Sequence, residues 1–141
     1  MRIAIVAAQF NEFIAKDLLK GCLDELKKAG LKNAQIVTVW VPGSLEVPLA
    51  ALKLARKKNV DAVICLGAVI RGETYHFEVV SNESARGMMN VGLSTGKPVI
   101  NGILTADTIG QAQKHARAHG DNKGRDCARA ALDMTALLKQ I

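Results

Sequence analysis

The chain has 141 residues, of which 49% are hydrophobic and 23% charged, and its formal net charge is +6. This length is typical of one domain with a sizeable core, and no apolar run is long enough to span a bilayer. We therefore expect a single domain over residues 1–141 and no membrane partner. The positive charge suits a phosphorylated metabolite or a nucleic acid, but the few aromatic residues do not cluster with the basic ones, which disfavours nucleic-acid binding.

Cysteine usage and the start of the chain favour a cytoplasmic protein without a structural metal. Cys22, Cys65 and Cys127 are far apart in sequence, and neither a Cys-x-x-Cys pair nor a His/Cys cluster is present. Each cysteine lies in an apolar pattern, which is typical of a small buried hydrophobe. The chain begins directly with a strand pattern rather than a charged and then apolar leader, which predicts cytoplasmic location.

The first strand–helix unit has clear boundaries in the sequence. Residues 2–8 predict a strand, Asn11 is expected to cap the next helix, and Gly30 is expected to end it. The apolar stripe of this helix steps by four residues: Ile14, Leu18, Cys22 and Leu26.

The second unit is a strand over residues 34–41, a Pro42-Gly43 turn, and a helix that Ser44 caps and that runs to about Lys58. Pro48 is expected in its first turn, where proline is tolerated. The residues predicted to face the core are Leu45, Leu49 and Leu52.

The third strand leads into the stretch that organises the chain. Residues 60–66 are rich in β-branched residues and predict a strand buried on both faces. A helix is expected from His76 to Thr95, closing at Gly96. Its apolar residues are Val79, Val80, Ala85, Met88, Met89 and Leu93. The stretch from Gly67 to the helix start is predicted to be a loop at the carboxyl end of a central strand, where open α/β sheets bind ligands.

This loop contains residue types suited to binding an anion and moving a proton. Gly67 and Gly72 let the backbone approach a ligand, and Thr74 with the first helix amides can hold an anion. His76 can transfer a proton near neutral pH, although it could equally be a structural cap. The loop is not a Walker phosphate loop, because Glu73-Thr74 stands where Lys-Ser/Thr is required.

The last part of the chain predicts a strand over residues 98–104, a helix from residues 105–107 to about His119, a break at 120–124, and a final helix. The apolar face of the final helix comprises Cys127, Ala130, Ala131, Met134, Leu137 and Leu138. Since strands alternate with helices throughout, we predict a flavodoxin-like three-layer α/β/α sandwich with a four-stranded parallel sheet in the order 2-1-3-4.

Candidate site residues follow all four predicted strands and should meet at one edge of the sheet. Each also has a plainer interpretation that the sequence leaves open. Phe10 could be a hydrophobic staple, Glu46 a first-turn carboxylate favoured by the helix dipole, and Lys123 a solvated surface residue. Their convergence at one edge favours a functional interpretation.

Several of these segments, in this order and spacing, resemble the lumazine synthases of riboflavin biosynthesis. The resemblance covers nearly the whole chain and rests on residues 9–11, 41–48, 67–77, 98–105 and 122–124. It implies an enzyme that joins 5-amino-6-ribitylaminouracil to 3,4-dihydroxy-2-butanone 4-phosphate, releases phosphate and water, and uses neither a metal nor an organic cofactor.

The resemblance also implies roles for individual residues. Phe10 would stack on the pyrimidine ring, and backbone groups of Val69 and Ile70 would bind the uracil edge. The segment Gly43, Ser44, Leu45 and Glu46, together with Asn11, would hold the ribityl chain and nearby polar atoms. Gly72, Glu73 and Thr74 would cradle the phosphate, and His76 would move protons.

Further residues would complete the site from a neighbouring subunit, so the resemblance implies a homopentamer or an assembly of pentamers. These residues are Asn101, His115, Lys123 and Asp126. His115 stands where many members have Arg at the phosphate subsite, so the affinity for phosphate should depend on pH; alternatively His115 is a solvated residue near a helix end. Asn101 stands where many members have Phe, so altered stacking is expected.

Two other functions remain open from the residues alone. A binding module that holds a flavin or lumazine without chemistry would keep Phe10 but would not need His76. An archaeal-type riboflavin synthase is a distant relative, and the segments at residues 71–74 and 122–124 argue against it.

Overall fold

The computed structural model describes residues 1–141 as a four-stranded parallel sheet with helices on both faces. The strands lie in the order β2-β1-β3-β4, and every neighbouring pair is parallel. The strands are β1 (Ile3–Ala8), β2 (Ile36–Val41), β3 (Ala62–Ile70) and β4 (Val99–Ala106). The predicted α/β class and strand order are confirmed.

Five α-helices cover the two faces of the sheet, and α1 packs against α5 on one face while α2 packs against α3 on the other. The helices are α1 (Glu12–Lys28), α2 (Val47–Ala55), α3 (His76–Thr95), α4 (Ile109–Lys114) and α5 (Lys123–Leu138). Short 3₁₀ turns span Asn33–Gln35 and Ser44–Glu46. None of the helices combines the length and apolar character that a membrane span requires.

The two central strands, β1 and β3, are buried on both faces of the sheet, as their continuous apolar sequences predict, whereas the edge strands β2 and β4 are only partly buried. Along β1, Ile3 and Ile5 pack into the core shared with α1 and α5, whereas Ala4 and Val6 pack into the core shared with α2 and α3. The predicted stripe of α1 is confirmed, since all four of its residues are fully buried: Ile14, Leu18, Cys22 and Leu26.

Helix α5 packs tightly against α1, and glycine stands at the contact in both helices. A methyl group on Gly124 would lie 1.9 Å from the carbonyl oxygen of Leu18, and one on Gly21 would lie 2.3 Å from Oδ1 of Asn122. Because neither position has room for a side chain, these glycines determine how closely the start of α5 can approach α1.

The strand boundaries differ from the prediction mainly at the carboxyl edge. Residues 67–70 were expected in a loop but continue β3, where they pair with residues 103–106 of β4. The loop therefore covers only residues 71–75. At the other edge β2 begins at Ile36 rather than residue 34, because Asn33–Gln35 form a 3₁₀ turn.

The predicted helices are confirmed for α1 and for α3, which runs from His76 to Thr95 and ends at Gly96 with φ 68°. The prediction for α2 is wrong at both ends. Ser44 does not cap it with its side chain, and the helix stops at Ala55 rather than near Lys58. Beyond this end the carbonyl of Lys57 accepts hydrogen bonds from the Val60 amide and from Nζ of Lys97.

The predicted helix ending near His119 is also wrong, because α4 covers only Ile109–Lys114 and is capped by the Thr108 side chain. After α4 the chain folds back, and Ala116 forms an antiparallel bridge with Asn122.

Two predictions about buried apolar faces need correction. Leu45 and Leu49 are 45% and 65% exposed, and the core positions of α2 are instead Val47, Ala51, Leu54 and Ala55. On the predicted apolar faces of α3 and α5 several residues are also exposed: Val79, Met89, Leu93, Met134, Leu137 and Leu138.

Candidate active site

A cavity of about 470 Å³ opens at the carboxyl ends of β1, β2 and β3. This is the edge at which parallel α/β sheets bind ligands. Ten predicted site residues line it: Phe10, Gly43, Ser44, Leu45, Glu46, Val69, Ile70, Gly72, Thr74 and His76. The other lining residues are Pro42, Ala68, Phe77 and Val80.

Phe10 lies in the connection after β1 and is 72% exposed, so its ring is available to a ligand. The connection is tied to the one after β2, because the amide of Gln9 donates to the carbonyl of Val41 (2.8 Å) and the amide of Phe10 to that of Pro42 (3.1 Å). The two loops therefore form one continuous wall of the cavity.

Asn11 supports this wall from behind and does not line the cavity. Its backbone is left-handed with φ 60°, a conformation that asparagine tolerates better than most residues. The predicted side-chain cap of α1 is absent, and Nδ2 instead donates to the carbonyl of Ala68 at 2.9 Å. Asn11 thus joins the loop after β1 to the end of β3.

The turn after β2 fits closely against β3 because residue 67 is glycine. A methyl group there would lie 3.1 Å from Cβ of Ala8 and 3.3 Å from Oγ of Ser44. Ser44 is 6% exposed while Glu46 beside it is exposed, so the turn presents one buried hydroxyl and one accessible carboxylate to the cavity. The role of Gly67 is therefore packing inside a strand rather than flexibility in a loop.

The loop after β3 offers unpaired backbone donors. The amides of residues 72–75 donate no hydrogen bond within the chain, and a methyl group on Gly72 would meet no atom within 4 Å. The next amide, that of His76, is 3.4 Å from the Thr74 hydroxyl oxygen that accepts from it. Since the first amides of a helix lack partners within the helix, this loop and the start of α3 can together bind an anion.

Arg71 connects three segments around this loop. Its amide donates to the carbonyl of Ala106 (2.9 Å), Nε donates to Oδ1 of Asp107 (2.8 Å), and Nη1 donates to Oε1 of Glu78. The guanidinium also stacks on the ring of Phe77, 4.3 Å from its centroid. The hydrogen bond from Arg71 lowers the pKa of the Glu78 carboxyl, and the two carboxylates, Asp107 first, raise the pKa of Arg71.

Comparison with known proteins identifies the family. The sequence model described as 6,7-dimethyl-8-ribityllumazine synthase matches residues 1–139. The chain is 54% identical over 138 residues to the 6,7-dimethyl-8-ribityllumazine synthase of Cupriavidus pinatubonensis. This match covers 98% of this chain and 80% of the relative. The synthases of Cupriavidus metallidurans (54%; 98% and 79% covered) and Cupriavidus necator (52%; 98% and 81% covered) are similarly close. The chain belongs to the lumazine synthase family.

Five of the residues that the resemblance to lumazine synthases predicted lie outside the cavity of this chain, besides Asn11. Glu73 is exposed on the loop after β3. Asn101 is on β4, where its Oδ1 accepts from the amide of Ile103 (3.0 Å). The other three, His115, Lys123 and Asp126, are exposed around the connection from α4 to α5.

The connection from α4 to α5, residues 115–122, is held in place by hydrogen bonds to the buried side chain of Asn122. Asn122 is 1% exposed, and its Nδ2 donates to the carbonyls of Arg117 (3.0 Å) and Asp17 (3.3 Å). Its Oδ1 accepts from the amide of Arg125, which caps α5. At the surface Nδ1 of His115 lies 2.5 Å from Oδ2 of Asp121.

The sequence assigned no site role to Ala68 and Val80, which line the cavity, or to Asn122, which supports the connection from α4 to α5. Ala68 and Val80 gave no signal, since both are ordinary apolar residues of a strand and a helix. Asn122 did carry a signal, because an asparagine just before a helix is a typical N-cap.

The three cysteines are all buried and free, as predicted. Burial raises the pKa of Cys22 to about 12 and that of Cys127 to about 11, and it also raises that of Cys65. These thiols are therefore protonated at neutral pH, and none lines the cavity.

Proposed function

We propose that the chain catalyses the condensation of 5-amino-6-(D-ribitylamino)uracil with 3,4-dihydroxy-2-butanone 4-phosphate to 6,7-dimethyl-8-ribityllumazine. It is a transferase of riboflavin biosynthesis that requires no cofactor. The observation that carries the proposal is the family match over residues 1–139. The cavity supports it, because an exposed aromatic ring, a histidine and a loop of unpaired amides share one opening.

The ribitylaminouracil occupies the side of the cavity nearest to β1 and β2. Phe10 stacks on the pyrimidine, and backbone groups of Val69 and Ile70 bind the uracil edge. Ser44 and Glu46 hold the ribityl chain, for which the buried hydroxyl and the exposed carboxylate are suitable partners. Asn11 contributes by fixing the wall that carries Phe10, since its amide group is already bonded to Ala68.

The phosphorylated ketone occupies the side nearest to α3. The unpaired amides of Gly72 and Glu73 and the Thr74 hydroxyl hold its phosphate, and the dipole of α3 favours the negative charge. The cavity thereby holds both substrates together, which converts their encounter into an oriented reaction.

The reaction then needs several proton transfers. The amine of the uracil attacks the ketone and loses water to give an imine, phosphate leaves by elimination, and the ribitylamino nitrogen closes the ring with loss of a second water. His76 lines the cavity beside Thr74 and is the group suited to exchange these protons near neutral pH.

The complete site is formed between subunits of a cytoplasmic homopentamer or an assembly of pentamers. Within one chain Asn101, His115, Lys123 and Asp126 do not reach the cavity, so a neighbouring subunit supplies them. Exposed apolar residues on two helices support a subunit contact: Leu49, Val79, Met89 and Leu93. The partners of this assembly are small molecules and copies of the same chain, not nucleic acid.

The proposal is tested by mixing the purified protein with both substrates and following lumazine absorbance and fluorescence together with phosphate release. We expect phosphate and lumazine to appear in equal amounts only when both substrates are present. Binding of a lumazine without its formation would instead identify a binding module. Light scattering coupled to size exclusion tests the assembly, and a monomer would contradict the shared site.

A further inference from the structure

The loop that carries the unpaired amides is fixed only at its two ends. Residues 72–75 are exposed, and their amides donate no hydrogen bond within the chain. Their side chains make one hydrogen bond, in which the Thr74 hydroxyl oxygen accepts from the amide of His76 beside the loop. Something at the ends of the loop must therefore determine where Thr74 and His76 stand relative to each other and to the cavity.

Arg71 is the residue that joins those ends. It precedes the loop, and its side chain reaches across to Glu78 in the first turn of α3 and to Asp107 after β4. Its guanidinium also covers the ring of Phe77, which lines the cavity. Arg71 itself does not line the cavity, so these contacts leave it no direct role toward a ligand.

We propose that Arg71 is a positioning residue for phosphate binding. Through its contacts with Glu78, Asp107 and Phe77, it holds the 72–75 loop at the distance from the start of α3 that phosphate binding requires. The inference deepens the proposed function and rests on it for the identity of the phosphorylated substrate. Arginine suits the task because its planar group donates in two directions while stacking on a ring, whereas lysine is a single point of charge.

The decisive variant is Asp107→Asn, because it separates positioning from simple charge attraction. Removing a negative charge near the loop should by itself improve the binding of a phosphate. If Asp107 instead acts by holding Arg71 in place, the same substitution should weaken the binding of the phosphate. Glu83→Gln is the matched control, since Glu83 also pairs with an arginine, Arg86, at 3.4 Å on the exposed surface of α3.

We expect Asp107→Asn to raise the KM for the butanone phosphate roughly two- to fivefold, which is the size of one exposed ion pair. Arg71→Met should raise it about tenfold, as misplacement of a binding segment does, and Arg71→Lys should recover only part of the loss. The KM for the ribitylaminouracil and the melting temperature should change little in each variant. A lowered KM in Asp107→Asn, or equal changes in both KM values, would overturn the inference.

A measurement without turnover keeps this inference separate from the proposed function. Inorganic phosphate is titrated into the assembled protein while the amide resonances of residues 72–75 are followed by NMR. We expect these resonances to shift in the wild type and in Glu83→Gln at phosphate concentrations that do not shift them in Arg71→Met. Equal shifts in all proteins, or none in the wild type, would refute the positioning role. Shifts that are lost only in Arg71→Met, in a protein that makes no lumazine, would support the positioning role and refute the proposed reaction.

Discussion

The cavity loops and the connection between α4 and α5 contain the two halves of the candidate site and are built in opposite ways. The 72–75 loop is exposed, leaves its amides unpaired and is held only at its ends. The connection is locked by buried Asn122 and by the close approach of Gly124 to α1. One region thus has a cavity with spare donors, and the other has exposed polar side chains on a firmly held backbone.

This difference indicates what fixes the positions of the residues in each region. In the α4–α5 connection the core itself places the backbone of the proposed site residues, because Lys123 directly follows the buried Asn122. In the loop after β3 the core stops at Ile70, so polar contacts and the ligand must complete the geometry. Substitutions of the buried supporting residues should therefore reduce activity through loss of stability in the first region, whereas substitutions in the second should reduce it without loss of stability.

The largest effect is expected for His76→Ala in the loop region. The turnover number should fall roughly tenfold to a thousandfold, the loss expected when a positioned general acid/base is removed. The melting temperature should stay near that of the wild type because His76 is exposed. Steady-state kinetics measure the change, with His119→Ala, another exposed histidine, as the control. An unchanged turnover number would remove His76 from the mechanism.

A pair of glycine variants tests the contrast in packing. Gly124→Ala should destabilise the protein by about 1–3 kcal/mol or more, because the new methyl group collides with the backbone of α1. Gly72→Ala meets only open space and should leave the free energy of unfolding unchanged while altering the KM for the phosphorylated substrate. Chemical denaturation gives the free energy of unfolding of each variant, and steady-state kinetics give the KM. Similar stability in the two variants would show that Gly124 is not closely packed against α1.

The proposed division of the site between subunits predicts complementation. Subunits with reduced activity that carry either His76→Ala or Lys123→Ala, when co-expressed, should form mixed rings in which about a quarter of the sites are intact, as expected for random placement in a head-to-tail ring. Activity should then exceed the sum of the two parent variants. Mixing the purified variants without subunit exchange serves as the control, and no gain after co-expression would place both residues in one subunit's site.

The same contrast explains which parts of the fold could be predicted from the sequence. The α/β order, the stripe of α1 and both ends of α3 were predictable because long periodic segments and a closing glycine encode them locally. The end of β3 was not, since residues 67–70 contain glycine and look like a loop until pairing with β4 extends the strand. Leu45 and Leu49 were predicted in the core because local periodicity does not reveal which face of a short helix is buried.

The lining of the cavity was predictable where its residues lie in the connection after a strand or begin the next helix, as Phe10, Ser44 and His76 do. A residue's role was not predictable where contacts between distant segments decide it. The side chain of Asn11 suits a helix cap by type, yet Ala68, 57 positions away, accepts its hydrogen bond. The link from Arg71 to Asp107 spans 36 positions and has no local signature.

The smallest effect concerns the ion pair that ties α5 to α1, the support of the firmly built region. Nε of Arg129 donates to Oε1 of Glu25 (2.9 Å), and this hydrogen bond lowers the pKa of the Glu25 carboxyl below its ordinary value of 4.5. A lowered folded-state pKa contributes stability that is present above the ordinary value and is lost as pH falls through the lowered one. Glu25→Gln should therefore melt slightly below the wild type at pH 7, and the gap should close as pH falls below 4.5. Calorimetry across this range measures it, with Glu83→Gln, whose pair lies within a single helix, as the control. A gap that persists unchanged at low pH would mean that the carboxylate charge of Glu25 does not help to hold α5 on α1.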